Sequence, residues 1–389
     1  MPEIKPDIET FAKIKVIGVG GGGNAAVNRM IQSRIKGVDF ISVNTDLQAL
    51  HHSLAPIKLH IGNSISRGLG AGMNPDVGRQ AAEENSNEIR DVIKGADMVF
   101  VTCGLGGGTG SGASPVIAEL ARDVGALTVA VVTKPFAFEG AQRKAIAEKA
   151  HNELKSKVDT IITIPNDRLL QVIDKKTLLL DAFTVADEVL RHGVQGISEI
   201  ITLPGLINVD FADVKTIMKE AGSALMGIGE ASGENRAVEA AKKAISSPLL
   251  DLSIEGAKGI LFTITGSSNL SMFEVNEAAK IITSSSDPDA KVIFGAHISD
   301  DLDDNIKITV VATGFSKEHK KVAEPIMASS SYSSGGRKSS SSDDYDTDEQ
   351  EREKKSFFEG VAENTQDKKM ADSDEEDLEI PAFIRKKMM

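Results

Sequence analysis

Tryptophan is absent from the 389-residue sequence, and its two tyrosines, Tyr332 and Tyr345, both fall near its end. Apart from its phenylalanines, such a chain offers few flat surfaces for stacking on bases or sugars. Cysteine is nearly missing as well. Cys103 stands alone, which excludes an intramolecular disulfide and fits a reducing compartment. It ends an apolar run, the setting of an inert packed thiol rather than of a nucleophile. No run of 18 apolar residues exists to insert into a membrane, and the first residues, MPEIK, show no secretory leader. Positive charge is in deficit: 44 Lys and Arg against 57 Asp and Glu give a net charge of −13, which argues against nonspecific nucleic-acid binding. His51, His52 and His60 have no matching ligands around them and read as exposed or loosely packed, so no protein-held metal is expected.

Glycine, by contrast, is concentrated. Residues 98–103 (MVFVTC) read as a buried strand that opens into Gly104, Leu105 and the run 106–112 (GGGTGSG), and a helical pattern follows. Strand, glycines and helix start together form a phosphate cradle. Glycines let backbone N–H groups converge, and a helix N-terminus adds unpaired donors and about half a positive charge. No lysine is present, so this is not the G-x-x-x-x-G-K-[ST] loop. A second such unit precedes it. The strand 13–19 runs into Gly20, Gly21, Gly22, Gly23 and Asn24, then a helix with Val27, Met30, Ile31 and Ile35 on one face, then the strand 38–44. That order predicts a right-handed βαβ unit in a parallel sheet. Gly18, Gly20 and Gly23, with Asp46 beyond, also satisfy the dinucleotide fingerprint, so an NAD-dependent oxidoreductase is one alternative. A nucleotide-stabilised scaffold without turnover is another.

The remaining chain reads in order. A glycine-rich loop over 62–76 is placed to fold over a ligand or meet a neighbour, and a polar helix follows over 77–94. Pro115 is expected in the first turn of the helix after the central loop, where its missing N–H costs nothing. Strands are expected over 127–133 and 160–165, and Glu139 and Arg143 between them share a face if that stretch is helical. A long helix spans 178–202, and Gly193 and Gly196 within it, each costing about 1 kcal/mol, imply close approach of a neighbour. A loop over 208–213, helices over 214–226, 234–245 and 271–282, and strands over 257–265, 291–298 and 306–313 make a smaller mixed α/β domain. Serine-rich, charged sequence then takes over and cannot bury enough surface to fold; as random coil it reaches roughly 40 Å or more. Apolar character returns with Ile380, Phe383 and Ile384, a docking peptide on a tether. The parts are a flexible N-terminus (1–12), a nucleotide-binding domain (13–177), a central helix (178–202), a second domain (203–315), a disordered linker (316–377) and a terminal peptide (378–389).

The loop 106–112, with the segments 18–24, 43–46, 208–213 and 380–385 (IPAFIR), resembles the tubulin/FtsZ superfamily and its FtsZ branch in particular. The resemblance implies a Rossmann-like parallel-sheet GTPase domain, joined by a long central helix to a smaller α/β GTPase-activating domain with a disordered tail. It implies a cytoplasmic cell-division protein at the midcell ring, with GTP or GDP bound and Mg²⁺ held mainly by phosphates and water. Gly21, Gly22, Gly23, Asn24 and Ala25 would lie against the nucleotide, Ala25 standing where family members usually carry asparagine. Gly107, Gly108, Thr109 and Gly110 would surround the β- and γ-phosphates, and Thr133, Glu139 and Arg143 would meet the ribose and phosphate side. Asn166, Phe183 and Asp187 would handle guanine. Asp187 can accept from the base N1–H and N2–H₂, whereas Phe183 on its own reads as core. Asp210 and Asp213, with Asn208 beside them, would complete hydrolysis in a neighbouring subunit, since phosphoryl transfer is mainly positioning and charge management. On their own, 208–213 read as a cap for the helix after Asp213. Head-to-tail stacking of this kind does not close and makes filaments. Implied partners are further copies of the chain, membrane anchors such as FtsA through 380–385, and regulators such as MinC.

Overall fold

Strand β1 (Ile14–Val19) sends Ile14 and Val16 into one apolar core and Ile17 and Val19 into another, all at most 2% exposed. Burial on both faces is the signature of a central parallel strand. In the computed structural model the described residues are 12–170, 179–202, 205–207, 209–247, 254–299, 302 and 304–315. The expected linker and terminal peptide lie outside them, as do residues 1–11.

From β1 the chain runs through α1 (Gly20–Gln32), β2 (Val38–Asn44), α2 (Leu47–His51) and β3 (Ile57–His60) to the short α3 (Asn63–Ser66). Helices α4 (Pro75–Glu84) and α5 (Ser86–Ile93) lead to β4 (Met98–Gly104), α6 (Gly108–Asp123) and β5 (Leu127–Lys134). A 3₁₀ turn (Ala137–Glu139), α7 (Ala141–Lys157), β6 (Thr160–Pro165), α8 (Asn166–Leu169) and the 24-residue α9 (Leu179–Thr202) follow. The remainder is α10 (Phe211–Met218), β7 (Gly222–Ala231), α11 (Arg236–Ile245), β8 (Gly259–Gly266), α12 (Met272–Ser284), β9 (Lys291–Ile298) and β10 (Ile306–Thr313). The ten strands form one sheet in the order β3-β2-β1-β4-β5-β6-β7-β10-β8-β9. From β3 to β7 every pairing is parallel; β10 runs antiparallel to both β7 and β8, which makes the far flank mixed. The α/β class expected from the sequence is the class found. The stretches read as two domains share this sheet. Helix α9 lies across it, with Gly193 against Val131 of β5 and Gly196 against Thr309 of β10. An added Cβ would come within 2.9 and 2.7 Å of those side chains, the close approach that the glycines implied.

Four expectations change. The glycine runs are not loops ahead of their helices but the first turns, so α6 starts at Gly108 and Pro115 falls inside it rather than at its start. Proline has no N–H for the carbonyl one turn back, and the helix accepts that loss. The polar helix over 77–94 is two helices, broken at Asn85, whose side chain accepts from Gly62 N at 2.8 Å. The helix expected over 214–226 is α10 followed by β7. Glu220 and Gly222, both at positive φ (52° and 72°), end the helical path. In β7, Gly227 and Gly229 let α11 lie on the strand, since a Cβ on either would sit 1.9 Å from an α11 carbonyl. Finally, α10 begins before Asp213, so the cap is Asp210, whose carboxylate accepts from Ala212 N at 3.4 Å, and Asp213 sits in the first turn.

Candidate nucleotide site

Strands β2 and β4 leave β1 on opposite sides, so a crevice opens at the carboxyl ends of β1 and β4. A cavity of about 580 Å³ lies there, lined by Gly21, Gly22, Gly107, Gly108, Thr109 and Gly110 among others. Helices α1 and α6 both start on it. Neither has a side-chain cap or an acidic residue in its first turn. Each therefore presents unpaired N–H donors and the positive end of its dipole to one space. The glycines divide the work. A Cβ on Gly20 would meet Gly110 N at 2.9 Å and one on Gly110 would meet Gly104 O at 2.8 Å, so these two let the loops touch. Gly21 and Gly107 have nothing within 4 Å of that position and leave the backbone open to a ligand. Gly23 and Asn24 are buried and brace the turn from behind. A Cβ on Gly23 would strike Thr102 O at 2.4 Å. The Asn24 amide, oriented by its hydrogen-bond partners, donates to Gly18 O and Gly20 O and accepts from Asn44 Nδ2. Ala25 is exposed and does not line the cavity.

The opposite wall comes from the end of β5, the 3₁₀ turn, α7, α8 and α9. Thr133, Glu139, Arg143, Asn166, Phe183 and Asp187 all line it. Arg143 Nη1 donates to Glu139 Oε2 at 2.6 Å, so the expected pair exists, across the junction of the 3₁₀ turn and α7. The other Glu139 oxygen accepts from Phe136 N at 2.9 Å. Phe183 is not core: it is 41% exposed, with its ring edge-on to the buried Phe136 at 5.6 Å. The cavity rather than the core claims it, because Phe136 fills the apolar space behind. Asn166 is buried, and its Oδ1 has no partner, an acceptor awaiting a donor. Burial pushes the Asp187 carboxyl up to about 6, against the pull of Arg29. Cys103, by contrast, is fully buried with its thiol pushed up to about 12, an inert packing group.

Residues 69–73 form a rim that the sequence left open between lid and contact, and they line the cavity. Arg67, Gly68, Gly70, Gly72 and Met73 all have positive φ there. A hydroxyl pair, Thr45 Oγ1 and Thr109 Oγ1 at 2.6 Å, ties the end of β2 to α6, and Gly70 N donates to Thr45 O. The clustering of glycines over 62–76 was the signal for this rim; nothing in the sequence marked Thr45 as its anchor. Asp46, the acid of the dinucleotide fingerprint, accepts from Ala49 N at 2.9 Å and caps α2. His60 Nε2 lies 3.3 Å from Thr45 O. Asp210 and Asp213 are exposed and do not line the cavity; Asn208 lies outside the described residues.

Residues 13–174 match the GTPase domain of the Tubulin/FtsZ family, and residues 222–316 match the C-terminal domain of the FtsZ family. An FtsZ dimer from M. jannaschii, solved empty, is 46% identical, with 79% of this chain and 89% of that chain covered and a TM-score of 0.76. CetZ2 from Haloferax volcanii, solved as a GTPγS-bound protofilament, is 22% identical, with 78% and 94% covered and a TM-score of 0.68. CetZ1 from the same organism, solved as a GDP-bound monomer, is 21% identical, with 78% and 95% covered and a TM-score of 0.68. With two uncapped helix starts on one sheet crevice, family models matched over 13–174 and 222–316, and a 46% identical FtsZ relative, this chain belongs to the FtsZ family of tubulin-like cytoskeletal GTPases.

Proposed function

We propose that this protein binds GTP in the α1/α6 cavity, polymerises head-to-tail, and hydrolyses the nucleotide with acids supplied by the next subunit, as part of a midcell division ring in the cytoplasm. One observation carries the nucleotide reading: two helix N-termini without caps share a cavity whose far wall holds an unpaired acceptor, Asn166 Oδ1. The helix ends suit a polyphosphate. Asn166 Oδ1 and the Asp187 carboxylate suit guanine, whose N1–H and N2–H₂ both donate; adenine offers no such pair. Thr133, Glu139 and Arg143, which also line the cavity, would meet the ribose and phosphate side. Mg²⁺ would be held by phosphate and water, where it supplies charge neutralisation; among the described residues no cluster of His, Cys, Asp or Glu is arranged to hold a metal.

Support for hydrolysis in trans is positional. Of the acids that line the cavity, Glu139 is paired with Arg143, Asp46 caps α2 and Asp187 is assigned to the base, while Asp210, at the cap of α10, and Asp213 are exposed and lie outside the cavity. The M. jannaschii relative was solved as a dimer, which supports self-association of this chain. Asp213→Ala should bind GTP with unchanged affinity, assemble, and lose hydrolysis; equal loss of binding and turnover contradicts the donated-acid mechanism. In the intact protein, turnover per molecule should climb with protein concentration, and a flat profile removes the link to assembly. The terminal peptide, outside the described residues, we propose as the recruiting site for anchors such as FtsA and regulators such as MinC.

A further inference from the structure

We infer that Thr160 and Thr313 are positioning residues for the acidic end of α10, a role that rests on the donated-acid reading above. Helix α10 is short, eight residues, and carries Asp210 at its cap and Asp213 in its first turn. Its buried stripe, Val214, Ile217 and Met218, fixes which side faces the core but not how far the helix slides or turns on that apolar bed. Hydrogen bonds fix the rest. Thr160, at the start of β6, donates its hydroxyl to Met218 O. Thr313, at the end of β10, donates to Ile217 O at 3.2 Å. Both threonines are at most 1% exposed. The two strands flank β7 on either side, so the last carbonyls of α10 are gripped from two directions. Gly259 makes room for the second grip: a Cβ there would lie 2.6 Å from Thr313 Oγ1 and 3.1 Å from Ile217 Cγ2. Asp159, next to Thr160, extends the clamp by accepting from Glu220 N at 3.4 Å and Thr128 N at 2.9 Å. A short rigid helix held at its C-terminus aims its N-terminus. Small errors in that aim are costly when acids must orient a water bound on another molecule.

The test uses full-length protein at saturating GTP, well above its assembly threshold, with GTP affinity, the threshold and kcat read separately. The double variant Thr160→Val/Thr313→Val keeps size and removes both hydroxyls. It should lose kcat on the order of tenfold while affinity and threshold hold, and Thr160→Ser/Thr313→Ser should restore the rate. In an Asp210→Ala/Asp213→Ala background the valine pair should cost nothing further, because neither acid remains to aim. Unchanged kcat in the valine pair, or an undiminished loss in the Asp210→Ala/Asp213→Ala background, overturns the clamp. Should the pair not fold, Thr313→Val alone leaves Thr160 in place and should show a smaller loss of kcat at fixed affinity; a wild-type rate overturns the clamp. Asp213→Ala turning over at the wild-type rate would instead sink the donated-acid reading. An inactive Asp213→Ala beside a fully active valine pair sinks the clamp alone.

Discussion

Asp187 links stability to recognition in a way that one substitution separates. Burial raises its carboxyl from 3.8 to about 6, so in nucleotide-free protein above pH 6 the fold carries a charge it would rather neutralise. For an acid raised on folding, the native state holds the extra proton between these two values, and stability falls as pH rises through that window. The gap corresponds to about 3 kcal/mol, which partial exposure to solvent screens to about 1–2 kcal/mol. Asp187→Asn removes the charge at constant shape. Nucleotide-free variant protein should therefore be more stable than wild type by about 1–2 kcal/mol at pH 7.5, with the advantage fading as pH falls through 6 towards 4. GTP affinity should move the other way, because the carboxylate accepts from two guanine donors and an amide oxygen is a weaker acceptor that brings a competing NH₂. Wild-type affinity should also weaken about tenfold per pH unit below 6, and that slope should vanish in the variant. Urea unfolding of nucleotide-free protein and fluorescent-GTP titration, each across pH, read both effects. A variant no more stable at pH 7.5, or a gain equal at every pH, refutes the burial argument. Unchanged GTP affinity refutes the assignment to the base.

Three further outcomes are expected. Gly107→Ala should melt like wild type, since its Cβ enters open space, yet bind GTP more weakly; Gly112→Ala, whose Cβ would sit 1.9 Å from Pro75 O, should lose several kcal/mol in unfolding assays. Arg236→Met removes a 7%-exposed guanidinium that binds Glu274, Asn269 and Asp304 O. Unfolding should become easier by about 2–4 kcal/mol at pH 7. Because Arg236 holds the Glu274 carboxyl low, the part due to that pair is present above about pH 4.5 and lost as acid protonates Glu274, so the gap between the two proteins should narrow at low pH. Deleting residues 378–389 should leave GTPase activity and assembly intact and abolish capture by an anchor protein in pull-down; a fall in GTPase rate contradicts a purely recruiting role.

The parallel half of the sheet was legible because strands such as β4 and β5 are nearly continuous apolar runs, β4 ending in Gly104 and β5 followed by Pro135. Period and punctuation agreed there. The glycine-lined end of the cavity was legible from its glycine runs, and Asp187 and Asn166 were reached only through family resemblance, since a lone helix carboxylate carries no local mark. Strand β7 was misread because its sequence, GSALMGIGEA, is small rather than β-branched. Its glycines serve α11 packing on it, a tertiary demand that overrides propensity. Phe183 looked like core because hydrophobicity reports the cost of exposure and not the emptiness of a cavity. Pro115 was misplaced because glycines read as loop, whereas here they form an uncapped helix start that lines the cavity.

The sheet has one narrow place. Strands β6 and β7 pair only through Thr160, Ile161 and Ile162 with Gly222, Ser223 and Ala224, against seven paired positions between β7 and β10. Torsion applied to the molecule concentrates at this crease, where few backbone bonds resist it. Helix α9 spans the crease like a splint, seated through its two glycines on a strand from either flank. Bulk added at Gly193 or Gly196 would pry the splint up, and the molecule would soften about that line while each flank stayed whole.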